Sequence, residues 1–306
     1  MSLYVNTNVT SLNAQRNLNK ATNALDTTYA RLSSGLRINS AKDDAAGLQI
    51  ADRMTSQING LNQGNRNAND GIAVAQTIEG AMDEITNMLQ RVRTLAVQSS
   101  NGTNTSDDRL SIQKEVTQLS AEITRIACET TFGGKTMLNG TVANTRGNLL
   151  SVGVMKLHVG ANQNDIVSIK LTAGFSVAQM AMSGVSGVAS ATGVAVTSDS
   201  DVGSFSRFKV SCRSDAEQTI TDIDKVLNYV DRKRADLGAL QNRLESTISN
   251  QSNVANNQSD ARARIRDTDY AEESANLSSQ SIIQQAATSM LTQANSRPQI
   301  ALSLLG

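Results

Sequence analysis

Between positions 31 and 47 the chain reads Arg31-Leu-Ser-Ser-Gly-Leu-Arg-Ile-Asn-Ser-Ala-Lys-Asp-Asp-Ala-Ala-Gly47. Ser33, Ser34 and Gly35 weaken any helix that precedes them, and the small, polar run to Gly47 predicts a loop or irregular spoke. On its amino-terminal side Leu18, Ala21, Leu25, Thr28 and Leu32 recur at spacings of three and four, the seam of a helix lying lengthwise on a partner. Tyr29 and Leu36 are expected to widen that stripe. On its carboxyl side Leu48, Ala51, Met54, Ile58 and Leu61 form a second periodic stretch, with Gly60 and Gly64 blurring its end. A spoke set between two long, narrow seams makes the fold mainly α, with long antiparallel helices.

Composition agrees. The 306 residues leave room for one to three domains, but aromatics are only 3%, Trp is absent, and the apolar residues are mostly Ala, Leu, Ile and Val. Such side chains suit helix-to-helix seams better than a thick globular interior. The single proline is Pro298, so nothing interrupts long helices until the last residues. A balance of 28 basic and 28 acidic residues gives no field that would draw in nucleic acid or an anionic membrane. No leader with a short apolar core opens the chain and no run of about 18 apolar residues occurs, so neither a Sec-type signal nor a membrane span is expected. Cys128 and Cys212 are expected to be unpaired.

Further along, Ile78, Ile85 and Val92 stand one heptad apart, with Met82, Leu89 and Ala96 beside them, predicting a helix from about Gly71 to Ser99. Asn101 to Asp108 is a turn-rich break. Ile112, Val116, Leu119, Ile123 and Ile126 predict a helix antiparallel to the one before, because the connection is short. After Phe132-Gly-Gly the period changes. Val152, Val154, Leu157 and Val159, then Val167, Ile169 and Leu171 around a turn at 160–165, predict a β-hairpin. Residues 174–206 read as a small surface loop region with room for a short strand or helix.

Helical order returns at Ala216 with Ile220, Ile223, Leu227, Val230, Leu237, Leu244 and Ile248, a register broken by Arg234 and Gln241. A final helix, Tyr270 to about Asn295, carries Leu277, Ile283, Ala287, Met290, Leu291 and Ala294; Pro298 is expected to stop it. Leu18, Leu25, Leu32, Leu277, Ile283 and Leu291 are the residues expected to pack the terminal helices together. Ile300, Leu302, Leu304 and Leu305 form an apolar carboxyl tip. Neither terminal helix would be stable alone in water, so each needs partners.

Chemistry-bearing constellations are absent. His158 is the single histidine, with no Gly-x-Ser-x-Gly turn and no possible His-Glu-x-x-His, so neither catalysis nor a metal site is expected. Asp43-Asp44 and Glu272-Glu273 are adjacent carboxylates, which on a helix point about 100° apart and read as solvated or ion-paired faces. Gly184 to Gly193 lacks the Lys-Ser/Thr of a phosphate loop. Arg262, Arg264 and Arg266 alternate beside Asp260, Asp267 and Asp269, which predicts an ion-pair network at a joint between helical domains. No enzyme activity and no cofactor are expected.

The spoke quoted above closely resembles the amino-terminal signature of bacterial flagellins. Val5-Asn-Thr-Asn-Val-Thr-Ser-Leu-Asn-Ala-Gln-Arg-Asn-Leu18 is similar to their opening segment. Arg264-Ile-Arg-Asp-Thr-Asp-Tyr270 and Gln299-Ile-Ala-Leu-Ser-Leu-Leu-Gly306 resemble their closing segments, and Gln90-Arg-Val-Arg-Thr-Leu-Ala-Val-Gln-Ser99 is a further match. The resemblance implies a structural subunit that polymerises into the flagellar filament for swimming motility. It implies export through the flagellar type III channel without a cleaved signal, and an extracellular location.

It further implies an inner domain of paired termini (1–45 and 265–306), a helical rod (46–140 and 207–264) and a short hairpin and surface loop region (141–206). Implied partners are further copies of the chain, an export chaperone at the carboxyl tip, hook-associated and cap proteins, and the vertebrate Toll-like receptor for flagellin. The positions matching the receptor contact are Arg91, Leu95 and Glu115, expected as a surface group also buried between subunits; Thr94 stands where that motif frequently has Glu. Lys42, Asp43 and Asp44 are the implied spoke partners of the arginine cluster. Rival readings are a hook-filament junction adapter, related at its ends, and a secreted adhesin on a flagellin-like scaffold, for which residues 141–206 are thin.

Overall fold

The computed structural model describes residues 7–139, 154–170, 174–184, 194–199 and 203–303. Among them are six helices: α1 (Val9–Ser34), α2 (Ala45–Ser100), α3 (Ser106–Glu129), α4 (Val177–Gly184), α5 (Arg213–Arg266) and α6 (Tyr270–Ser303). Three antiparallel strand pairs lie between α3 and α5: β1 (Thr131–Phe132) with β2 (Lys135–Thr136), β3 (Val154–His158) with β4 (Ile166–Lys170), and β5 (Val194–Asp199) with β6 (Gly203–Phe208). The chain divides into two compact units, Met1–Asn59 with Val254–Gly306, and Gly60–Asn253.

In the first unit α1 and α6 pack along each other. Ala21, Leu25 and Thr28 are buried and Leu18 and Leu32 half-buried, which is the predicted seam. Tyr29 does not widen it; the ring is 57% exposed. Asn8 caps α1, and Gly35 ends it with φ 71°, a left-handed conformation that glycine adopts without a Cβ penalty. α6 continues past Pro298 to Ser303, so the expected stop is not observed. A proline interior to a helix forfeits one hydrogen bond and crowds one carbonyl, but flanking turns retain theirs.

The second unit holds the main core. α2 contributes Ile78, Met82, Ile85, Leu89, Val92, Leu95 and Ala96, α3 contributes Val116, Ile123 and Ala127, and α5 contributes Ile223, Val226, Val230 and Leu237. Thr105 and Asp108 form a reciprocal capping box at the start of α3. Arg109 Nε donates to the Ser99 carbonyl (3.0 Å) and Arg91 pairs with Glu115, contacts that set α3 antiparallel to the end of α2.

α2 runs unbroken for 56 residues, so Gly60 and Gly64 do not end a helix. They let the hairpin approach. A Cβ at Gly60 would meet Ala161, one at Gly64 the Val159 carbonyl, and one at Gly71 the Leu157 side chain. The hairpin itself pairs Val154 with Lys170 through to His158 with Ile166, and its backbone is held by Asn67 Nδ2 donating to the His158 carbonyl (2.8 Å) and by Gln251 Nε2 donating to that of Val159. Val159, Val167, Ala68 and Leu244 close a small satellite core there. Val152 and Leu171 lie outside the described residues.

Residues 174–206 are not all surface loop. Phe175, Val177 and Met180 are fully buried, as are Phe208 and Val210 at the end of β6. Gln113 on α3 explains how a strand reaches the core: its buried amide donates to the Phe208 carbonyl (2.9 Å) and accepts from the Val210 N–H (2.6 Å). Burial of those backbone groups is thereby compensated.

Candidate assembly and recognition surfaces

The α1–α6 seam is thin. Besides Ala21, Leu25 and Ala294 its buried members include Thr28 and Glu273, and Arg31 approaches that glutamate at 3.8 Å. Leu277 and Leu291 are half-buried on α6. Ile283 is at the rim of the seam and 46% exposed: Leu277, Gln280, Gln284, Ala287, Leu291 and Ala294 step by three and four along the inner face, which leaves position 283 beside it, on the wall of an open groove shared with α1. At the far end Asn8 Nδ2 donates to the Ala294 carbonyl (2.8 Å) and Ser11 Oγ to Asn295 Oδ1 (2.6 Å).

The pair leaves several large apolar side chains uncovered. Val9 and Leu12 on α1, and Ile282, Ile283 and Met290 on α6, are each between 46% and 66% exposed. Thr10, Asn13, Ala14 and Asn17 face Ile283, Ala287 and Met290 across a groove of about 670 Å³. Leu302 lies within α6, while Leu304 and Leu305 lie outside the described residues.

The joint after α5 differs from the expected network. Asp43 accepts from the Asn39 and Ser40 N–H groups and the Ser40 hydroxyl, and those bonds, the Ser40 backbone bond foremost, hold its carboxyl below the ordinary value. Asp44 accepts from the Ala46 and Gly47 N–H groups at the start of α2. Both carboxylates are thus consumed by local turns, as Asp side chains tend to be. Lys42 is exposed. Arg262 donates to Thr55 (3.3 Å), Arg264 pairs with Asp260 on its own helix (3.0 Å), and Arg266 with Asp52 (3.7 Å). The tie to the spoke runs through backbone: Leu36 bridges Asp267, the Arg37 N–H donates to the Arg266 carbonyl (2.6 Å), and the Thr268 N–H donates to that of Gly35 (3.0 Å).

On the second unit Arg91 donates from Nε and Nη2 to one oxygen of Glu115, and both side chains stay about half exposed. Leu95 does not join them at the surface. It is 2% exposed, because Val92, Leu95, Ala96 and Ser99 continue the stripe that faces the core. Sequence reasoning missed the polar contacts within the α2–α5 seam: Arg93 with Asp224, Asp83 with Arg234, and Glu79 with Gln241. The signal was the pair of polar residues, Arg234 and Gln241, in an otherwise apolar register. The Asp224 hydrogen bond raises the pKa of Arg93.

His158 is exposed at the end of β3, and the described residues hold no group of three or more potential metal ligands. Cys128 and Cys212 are unpaired; burial pushes the half-covered Cys128 thiol up, while Cys212 is exposed instead of packed.

The model of the bacterial flagellin N-terminal helical region matches residues 5–143, and that of the C-terminal helical region matches residues 220–305. The chain belongs to the bacterial flagellin family. A flagellin is a structural subunit of the flagellar filament and not an enzyme, so the surfaces above are the places to look for function. Flagellin D of Vibrio anguillarum is 37% identical over 378 aligned positions, and Flagellin B of Vibrio cholerae serotype O1 is 38% identical over 377, each with full coverage of both chains.

The crystal structure of Bacillus cereus flagellin aligns with 61% of this flagellin chain and 88% of its own, at 28% identity and a TM-score of 0.46. A putative flagellar hook-associated protein from Vibrio parahaemolyticus aligns with 74% of this chain and 100% of its own, with a TM-score of 0.54; at 13% identity that likeness is one of fold. Flagellin homologues form the extracellular filament, and no described helix is long and apolar enough to cross a membrane.

Proposed function

We propose that the α1–α6 pair is the polymerisation element of this flagellin and that the filament lattice covers its outward apolar residues. The observation that carries this is the exposure of Val9, Leu12, Ile282, Ile283 and Met290 on a two-helix unit whose own seam is thin. Contiguous apolar surface of that kind marks an interaction face, and homopolymers bury such faces against identical copies. In this reading residues 1–45 with 265–306 form the inner domain, 46–140 with 207–264 the rod, and 141–206 the hairpin and loop region.

The chain leaves the cell through the flagellar type III channel, with its apolar carboxyl tip, Leu302, Leu304 and Leu305, offered to an export chaperone. Cap and hook-associated proteins meet it at the filament ends. The β3–β4 hairpin takes part in choosing between subunit packings, supported by its seat on glycines of α2. The free monomer is recognised by the vertebrate Toll-like receptor through Arg91 and Glu115, with Leu95 supporting α2 from beneath.

The test of the central claim uses full-length protein carrying Ile282→Asp and Met290→Asp, seeded with sheared filaments and viewed by negative-stain electron microscopy. Both side chains are about two-thirds exposed, so the helix pair survives and elongation stops. Filaments of normal length would refute the assignment.

A further inference from the structure

The seam between α2 and α5 is written in sevens. Ile78, Ile85 and Val92, with Met82, Leu89 and Ala96, share one buried core with Ile223, Val230 and Leu237, and Leu244 carries the α5 spacing on into the satellite core beside Ala68. Packing of this kind is nearly degenerate under translation, because sliding one helix by a heptad presents similar knobs to similar holes. Apolar contact alone leaves the position of α5 along α2 weakly specified.

Two ion pairs read that position. Arg93 meets Asp224 at 2.7 Å, and Asp83 meets Arg234 at 3.1 Å. From one pair to the other the step is ten residues on each helix, in opposite directions, so both belong to a single antiparallel register. The charges are also exchanged: the cation sits on α2 in the first pair and on α5 in the second.

The two pairs differ in what they discriminate. One heptad to either side of Asp224 stand Glu217 and Asp231, so Arg93 finds a carboxylate in the observed register and in both neighbouring ones. One heptad to either side of Asp83 stand Gln76 and Gln90, and to either side of Arg234 stand Leu227 and Gln241. A slip in either direction therefore leaves Arg234 opposite a glutamine, and Asp83 opposite Leu227 or Gln241. It also parts Gln241 from Glu79, which it now reaches at 3.0 Å.

We propose that Asp83–Arg234 is the contact that specifies the register of α2 against α5, while Arg93–Asp224 adds attraction without selecting among registers. Its worth lies in the difference between registers more than in absolute stability, since both side chains are partly solvated and exposed pairs contribute little. A single polar position in a seam suffices to choose among near-equivalent packings.

Spin labels at Asn87→Cys and Arg243→Cys, exposed positions well separated along the helices, report the register by double electron–electron resonance in a Cys128→Ser, Cys212→Ser background. A one-heptad slip changes their separation by roughly 10 Å, seven residues at about 1.5 Å each. The chain as it stands and Arg93→Gln give one distance. Asp83→Gln with Arg234→Gln gives a second, displaced by that amount, and the exchanged pair Asp83→Arg with Arg234→Asp restores the single one. A single unshifted distance in the double-glutamine chain overturns the proposal, and so does an equal second population in Arg93→Gln. Should the double-glutamine chain lose its helical circular dichroism, recovery in the exchanged pair supports the assignment and failure to recover overturns it.

Discussion

Arg91 reaches one oxygen of Glu115 with two nitrogens, Nε at 2.9 Å and Nη2 at 2.7 Å, while the leucine one turn further along α2 is sealed in the core. A residue trio matched by motif thus splits into a surface pair and an interior residue, and the two parts answer to different measurements.

The first prediction separates them. Exposed ion pairs contribute about 0.2 to 1 kcal/mol, so Arg91→Ala leaves the denaturant midpoint almost in place. Leu95→Ala opens a void in a packed interior and costs about 2 to 5 kcal/mol. Urea melts of the two variants, followed by circular dichroism, check this; equal shifts would mean that Leu95 is not a core residue.

The second concerns glycines that share one helix but differ in surroundings. Gly80 has nothing within 4 Å of where a Cβ would sit, whereas at Gly64 that atom would press on the Val159 carbonyl and lie 3.2 Å from Gln251 Oε1. Alanine gains about 0.5 to 1 kcal/mol over glycine inside a helix when the site is open. Gly80→Ala therefore raises the melting temperature. Gly64→Ala lowers it, because the obstacle is backbone and the hairpin must move. Thermal scans of both read the sign directly.

The third follows from the cap of α3. Thr105, through its hydroxyl first and then its N–H, holds the Asp108 carboxyl below its ordinary pKa of 3.8. A carboxylate with a depressed folded pKa contributes stability that is present above the unfolded value and is lost as pH falls through the folded one. The start of α3 therefore stays capped at neutral pH and loosens only below about pH 4. Carbon-detected NMR titration places the Asp108 midpoint under 3.8, and Thr105→Ala returns it upward; an unchanged midpoint in that variant would remove Thr105 as the cause.

Much of this architecture was legible because narrow seams repeat. The positions from Leu18 to Leu32 and from Ile78 to Ala96 announce their buried faces through spacing alone. Gly60 and Gly64 were misread because a glycine that breaks a helix and one that admits a neighbouring backbone look identical in one dimension. Ile283 sits at the rim of its seam and not at the centre, because α6 is so rich in Ala, Ser and Gln that its stripe is ambiguous, and its inner face includes Gln284. Phe175 and Phe208 carried a signal that went unused. In a chain with four phenylalanines, Phe175 and Phe208 are the large apolar side chains that anchor this small-residue segment to the core. Nothing local foretold that Asp43 and Asp44 would turn inward on their own loop instead of meeting the arginines, since capping and ion pairing draw on the same side chain.

The bridge from Leu36 to Asp267 closes a loop that holds most of the chain. So long a closure carries an entropic cost that nearby contacts cannot offset early. Thr268, whose N–H completes the junction with Gly35, is also synthesised after nearly everything else. The junction thereby makes the order of synthesis matter: a chain that stops before residue 268 lacks the donor, so this corner closes only after residue 268 has been added.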